Sequence, residues 1–289
     1  MSTGPGSDRA MRDVAVITDS TCDMPRDLMS ENGVDVLGLK VSLQRETFLD
    51  GEISQEEFFR RMKAADDLPT TSQPSVGEFV ELYGRTLESA HEIVSVHLPP
   101  TVSGTMESAR QAAERFDGRV HVVDAHIWSG PLGLIALRAG ELSARGASAG
   151  EIVADIESVR DRARIVIALD SLDNLAKGGR IGNATAFLGG LLDLRVVITI
   201  RDSMVQPVRR VRGARKAIQG GLDWFAEQIG ETASGRFCVM HAMAQDRAEQ
   251  IRDLVLERWG EVEVIMTRIG VVMSTHTGSG WGLAYLPLD

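Results

Sequence analysis

The stretch VAVITDSTCD, residues 14–23, decides the fold. Val14 to Thr18 is a short run rich in β-branched residues, the composition of a buried strand. It gives way to a polar turn, Asp19-Ser-Thr-Cys-Asp23, and Pro25 then stands at a helix start. Outward from here the pattern recurs. Ile93 to Leu98 reads as a strand, Pro99 to Gly104 as a loop and Thr105 to Arg115 as a helix. Val120 to Val123 is a further strand, and Ser129 to Arg145 a further helix. Such alternation implies a mainly parallel sheet with helices on both faces. Ligands sit at the carboxyl ends of such strands. The turn after Thr18, the loop at Pro99 and the turn after Val123 therefore share one functional edge.

Between these strands, Val34 to Leu43 and Glu46 to Leu49 read as extended. Ser54-Gln-Glu-Glu57 is a capping box, and its helix carries Phe58, Phe59 and Met62 on one side. Pro69-Thr-Thr-Ser-Gln-Pro74 suits neither a helix nor an inner strand and reads as a stiff loop. Ser75-Val-Gly-Glu78 is a second capping box and opens a helix to about Ser89.

In the second half, Ile165 to Leu169 is a strand, and Ser171 to Lys177 a short helix stopped by Gly178-Gly179. Ala184 to Leu194 reads as a helix apolar on nearly every side. Val196 to Ile200 and Met204 to Val211 flank Asp202-Ser203 as a hairpin. Helix, strand, helix and strand follow to residue 266, then an apolar strand Val271 to Met273. The expectation is an α/β protein of two domains: residues 1–12 a tail, 13–160 the parallel-sheet domain and 161–289 a mixed α/β domain.

Composition narrows the function. Of 289 residues, 43% are apolar and 25% charged, a globular profile. The net charge of −10 excludes a general nucleic-acid binder. Arg209 to Lys216 (RRVRGARK) is a local basic exception, read either as a solvated strand end or as a docking patch for an acidic partner. No apolar run is long enough to cross a membrane, and the first dozen residues predict no signal peptide. Cys22 and Cys238 form no disulfide framework, which fits a cytoplasmic protein. The histidines show no metal spacing, so no metal site is expected.

Several motifs have plain structural explanations. Gly146-Ala-Ser-Ala-Gly150 has the form of a serine-hydrolase elbow, but a helix precedes it and Ser148-Ala-Gly-Glu151 is a capping box. Gly278-Ser-Gly280-Trp-Gly282 has no following helix and reads as a bend before a last strand. Val102-Ser-Gly-Thr105 is open to two readings. Ser103 or Thr105 caps the next helix, or the first amides and a hydroxyl converge on an anion. Thr71 and Ser72 offer further hydroxyls, and Gly178-Gly179-Arg180 sets a guanidinium where two glycines let a ligand approach.

Taken in register, these segments resemble the DegV family over about Val14 to Tyr285. The landmarks are Asp19-Ser-Thr-Cys-Asp23, Thr71-Ser-Gln-Pro-Ser75, Ser103-Gly-Thr-Met-Glu-Ser108, Leu175-Ala-Lys-Gly-Gly-Arg-Ile181, Arg212-Gly-Ala-Arg-Lys-Ala217 and His276-Thr-Gly278. The resemblance implies a bacterial lipid-binding protein of two α/β domains with a long-chain fatty acid held between them. It implies a carrier, with no cofactor, that presents the fatty acid to a separate fatty acid kinase. Thr71, Ser72, Ser103, Gly104, Thr105, Arg180, His276 and Thr277 would surround the carboxylate, and Asp19, Ser20 and Ser129 are further cleft residues. Ala184, Phe187, Leu188, Leu191, Leu192 and Leu194 would help house the tail. This chain departs from the family at Ala125, where a hydroxyl residue is usual, at Leu194-Arg195-Val196 in place of a lysine–proline step, and at Ser279 in place of proline.

The donors agree with this implication. A carboxylate only accepts hydrogen bonds, and these loops supply hydroxyls, amides and one guanidinium. The contrasting reading is an enzyme acting on a small phosphorylated or carboxylated metabolite, with Asp19 or Asp124 as its acid or base. Neither aspartate has a metal triad or a phosphate-loop lysine beside it in the sequence, so the carrier is the stronger expectation.

Overall fold

The computed structural model describes residues 11–187 and 194–288. The first half runs β1 (Arg12–Asp19), α1 (Arg26–Glu31), β2 (Val34–Leu37), β3 (Lys40–Leu43), β4 (Glu46–Leu49), α2 (Gln55–Ala64) and β5 (Thr70–Ser72). It continues through α3 (Val76–Thr86), β6 (Ala90–His97), α4 (Thr105–Ala113), β7 (Val120–Asp124), α5 (Gly130–Ala144) and α6 (Ala149–Val159). Strands β2, β1, β6 and β7 form one sheet in that order, parallel throughout. Alternation along β1 sends Ala15 and Ile17 to one face, where Phe79 and Tyr83 of α3 and Ala109 and Ala112 of α4 pack. Val14 and Val16 face the other way, onto Leu132 and Ile135 of α5 and Ile152 and Ile156 of α6. This is the doubly covered parallel sheet that the sequence implies.

The second half runs β8 (Arg164–Leu169), α7 (Asp173–Lys177), β9 (Leu194–Arg201), β10 (Met204–Arg212), α8 (Ala214–Ile229) and β11 (Gly235–Ala242). It ends with α9 (Gln245–Trp259), β12 (Glu263–Arg268), α10 (Val271–Thr277) and β13 (Gly280–Pro287). Its six-stranded sheet has the order β10-β9-β8-β13-β11-β12, antiparallel except for the β11–β12 pair. Asp202 and Ser203 both have positive φ, as the mirror-image turn of a two-residue hairpin demands. Helices α8 and α9 cover one face of this sheet. Helix α5 packs on the other face while also touching β1, so it lies between the two sheets. That position explains why its sequence, GPLGLIALRAG, is apolar all round.

A small antiparallel sheet, β4-β3-β5, packs Val41 and Leu43 with Phe58 of α2 against Val271 and Val272 of α10. Two sequence expectations change here. The proline-bounded Thr70–Ser72 segment is an edge strand, paired among the described residues with β3 alone. Prolines are tolerated beside an edge because no second neighbour needs the missing N–H. Val271 to Met273 is the first turn of a helix instead of a strand. Burial overrides the β propensity of the two valines, and Thr275 and Thr277 return their hydroxyls to the Val271 and Met273 carbonyls.

The expected helix from Ala184 to Leu194 also changes. Gly182–Phe187 is a 3-10 turn and Leu194 opens β9. Leu188, Leu191 and Leu192 lie outside the described residues, as do the side chains of Phe187 and Leu194. Two departures from the family pattern meet in space. Ser279 Oγ donates to Asp170 Oδ2 at 2.7 Å, and Arg195 pairs with Asp170 Oδ1.

Candidate functional site

A cavity of about 360 Å³ opens beside the carboxyl-end edge of the parallel sheet. This is within the ~300–1,000 Å³ span of small-molecule sites. Its wall draws on both halves of the chain. The polar part includes Thr21 after β1, Thr71, Ser72 and Gln73 around β5, Ser103 and Gly104 before α4, Arg180 after α7, and His276 and Thr277 at the end of α10. These groups touch one another across the cleft. Thr71 Oγ1 and His276 Nε2 are 2.8 Å apart. Arg180 donates through Nη1 to the Gly178 carbonyl at 2.6 Å and through Nε to the Val102 carbonyl at 3.4 Å.

Each polar residue has a local cause for its place. The α7 helix ends in a left-handed Gly179, and the Arg180 N–H returns to the Leu175 carbonyl at 2.9 Å, a Schellman-type stop that turns Arg180 toward the cleft. Gly178 serves differently from its sequence reading. A β-carbon there would lie 2.7 Å from His276 Nδ1, so this glycine admits the imidazole ring itself. Burial, with the Arg180 charge adding to it, lowers the His276 pKa to about 4, so the ring is neutral near pH 7. Ser103 does not cap α4 with its side chain in the expected way. Gly104 is the N-cap, and Ser103 Oγ accepts from the Thr105 N–H at 3.3 Å and lies 2.9 Å from Thr105 Oγ1.

The apolar part of the wall follows from strand alternation. Ile167 of β8, Ile198 and Ile200 of β9 and Val205 of β10 face the cavity. Val166 and Val197, one residue out of step, face α8 instead. Ile167 is paired with Ile198, and Val205 with Ile200, so these side chains form one continuous patch. Leu98, Val102, Trp128 and Met273 are among the residues that extend it. Ala184 is buried in the main core cluster, and among the described residues the strands supply much of the apolar wall.

Four expected cleft residues stand off the cavity wall. Thr105 is fully buried and is bonded to Ser103. Ser20 lines a separate outer groove with Asp23, Asp50 and His241. Ser129 Oγ donates to Asp23 Oδ2 at 2.5 Å. Asp19 is buried and fully engaged: Oδ1 accepts from the Thr21 N–H and hydroxyl, and Oδ2 meets His97 Nδ1 at 2.9 Å and the Leu98 N–H at 3.3 Å. Thr21 and Gln73, which line the cavity, were not singled out from the sequence, although each lies inside a quoted landmark.

His97 Nε2 is 2.7 Å from Ser95 Oγ, and Tyr83 OH donates to Ser95 Oγ at 2.9 Å. Ser95, His97 and Asp19 thus have the connectivity of a hydrolase triad. They lack its access: Ser95, His97, Asp19 and Tyr83 are all 0% exposed. A nucleophile must reach substrate, whereas these groups are sealed in the core, where their chain of bonds fixes the turn after β1. Asp124, the other acid considered, accepts the His126 N–H at 2.8 Å through Oδ1. Among the described residues no helix is long and apolar enough to cross a membrane.

The comparisons with known proteins agree on one family. A family model described as an uncharacterised protein, DegV family, matches residues 13–288. A DegV domain-containing protein of Deinococcus radiodurans is 36% identical over 283 residues, covering 96% of this chain and 99% of its own. A Thermus thermophilus DegV family protein, described by its fatty acid binding, superimposes with a TM-score of 0.91 at 36% identity, over 96% of this chain and all of its own. DegV of Bacillus subtilis, described as a fatty acid binding protein, gives a TM-score of 0.86 at 30% identity over 96% and 99% of the two chains.

Proposed function

The chain belongs to the DegV family, and on that premise we propose that it binds a long-chain fatty acid between its two halves. The observation that carries this reading is a single cavity with a contiguous donor group and a contiguous apolar strand face. The carboxylate is assigned to Thr71, Ser72, Ser103, Gly104, Arg180, His276 and Thr277, with Thr105 supporting Ser103 from behind. The tail is assigned to Ile167, Ile198, Ile200 and Val205. Each buried methylene contributes about 0.8 kcal/mol, so a long acyl chain gains on the order of 10 kcal/mol before ordering costs. The protein acts as a carrier in the cytoplasm, consistent with its two free, buried thiols Cys22 and Cys238.

Ser103→Ala should weaken palmitate binding about tenfold, the loss expected for one hydrogen bond to a charged group. A fatty alcohol of equal length should bind poorly to the unmutated protein, because it lacks the charge. Displacement of a fluorescent fatty acid measures both. A folded Ser103→Ala protein that binds as tightly as the parent removes the carboxylate from this loop.

The carrier is further assigned a partner, a separate kinase that phosphorylates the bound carboxylate. Arg212 and Arg215 are exposed at the junction of β10 and α8, and a net charge of −10 makes this basic cluster unusual. Arg212 lies seven residues beyond Val205, roughly 23 Å along a strand, so a partner touching both must span that distance. Reversing both arginines to glutamate should reduce partner-dependent phosphorylation and leave lipid affinity unchanged. Unchanged phosphorylation would return the segment to an ordinary solvated strand end.

A further inference from the structure

Helix α10 carries Met273, His276 and Thr277 into the cavity wall, yet it has no side-chain cap of its own at Gly270. Its first N–H groups are satisfied from the other half of the chain. Asp23 Oδ1 accepts the Gly270 N–H at 2.7 Å, and Asp50 Oδ1 accepts the Val271 N–H at 2.9 Å. Both aspartates are buried, at 4% and 5% exposure.

The Asp23 carboxylate is also fixed from behind, and Asp50 is held through its main chain. Ser129 Oγ holds Asp23 Oδ2, and the Ser129 N–H is itself bonded to the Thr21 carbonyl at 2.8 Å. Arg26 Nη2 donates to the Asp50 carbonyl at 2.8 Å. Asp50 Oδ2 presses so close to Gly270 that a β-carbon there would stand 2.7 Å away. The start of α10 therefore sits at one depth only. The helix has seven residues, about 10 Å of length, so a shift at its start reaches its last turn with little loss.

We propose that Asp23 and Asp50 are positioning residues: by holding the start of α10 they set where its end places His276 opposite Thr71, and so the shape of the carboxylate-binding end of the cavity. The inference rests on the fatty-acid reading above. It gives these buried acids a function in ligand discrimination, where stability alone would leave discrimination untouched.

The test compares palmitate with the alcohol of equal length in Asp50→Ala, Asp50→Asn and the parent, by displacement titration. The ratio of the two affinities should fall about tenfold in Asp50→Ala, as expected when one bond to the charged group is lost. Asp50→Asn keeps an oxygen acceptor for the Val271 N–H and should stay within about twofold of the parent. The His276 ring resonances should move in the alanine variant and hold in the asparagine one. A lower melting temperature with an unchanged ratio and unmoved resonances overturns the proposal.

If Asp50→Ala does not fold, Ser129→Ala carries the test by removing one of the two bonds that hold Asp23. Its ratio should fall about threefold, and an unchanged ratio again overturns the proposal. A parent that binds no palmitate defeats the fatty-acid reading and this inference together. A parent that discriminates, alongside variants that discriminate equally well, defeats this inference alone.

Discussion

Ile198→Trp should lower the affinity for palmitate about a hundredfold while leaving decanoate nearly unaffected. Ile198 faces the cavity between its strand neighbours, is 1% exposed and is paired with Ile167 across the sheet. An indole in its place projects into empty space that the tail would otherwise fill. It displaces roughly three or four methylenes at about 0.8 kcal/mol each, or about 3 kcal/mol, which is close to a hundredfold. A short acid needs less of the apolar wall and keeps its carboxylate contacts. The measurement is a displacement titration against a series of chain lengths, with unchanged melting temperature as the control for folding. Equal losses for long and short acids would mean that Ile198 does not contact the tail.

The second large effect is on acid stability. His276 is neutral when folded down to about pH 4, against an ordinary value of 6.5. Above the ordinary value both folded and unfolded chains hold a neutral ring, so His276 contributes nothing to the pH dependence. As the pH falls through the window between the two values, the unfolded chain takes a proton that the folded protein refuses. Stability should therefore decline by about 1.4 kcal/mol per pH unit, on the order of 3 kcal/mol in all. Burial raises the Asp23 and Asp50 carboxyl pKa values, and those groups slope the opposite way. The difference between the parent and His276→Gln isolates the histidine. Urea denaturation at pH 7 and near pH 4.5 should show a much smaller loss in the variant. Saturating palmitate should shrink the parent's loss, because a bound anion favours the imidazolium. Equal acid sensitivity in both proteins would mean that His276 is not the buried base described above.

The parts of this account that depend on local pattern were legible in the sequence. The β-branched run Val14 to Thr18, its polar turn and the two later strand ends pointed to the parallel sheet and to the edge beside which the cavity opens. The capping serines Ser75 and Ser148 both close their boxes in the structure, which disposes of the hydrolase-like motif at Ser148. What local pattern could not supply was contact between distant residues. Asp23 and Gly270 are 247 positions apart, and His97 and Asp19 are 78 apart. No window of sequence contains either pair. The strand reading of Val271 to Met273 failed for the same reason, since the carboxylates that hold that helix start come from the first half. The leucine-rich segment after Ala184 announces itself by continuous hydrophobicity, and most of it lies outside the described residues. Among the described residues the apolar wall follows a quieter signal, alternate residues of β8, β9 and β10, one face of a sheet whose other face packs against helices.

The central claim is that this protein holds a fatty acid, and native mass spectrometry of the protein as purified from cells tests it most directly. The account predicts a folded species heavier than the bare chain by one long-chain fatty acid, which solvent extraction releases and identifies. The same preparation of Ile198→Trp should carry a shorter acyl chain or none. A parent protein that remains empty when offered palmitate, or that carries a small polar metabolite in its place, would contradict the account.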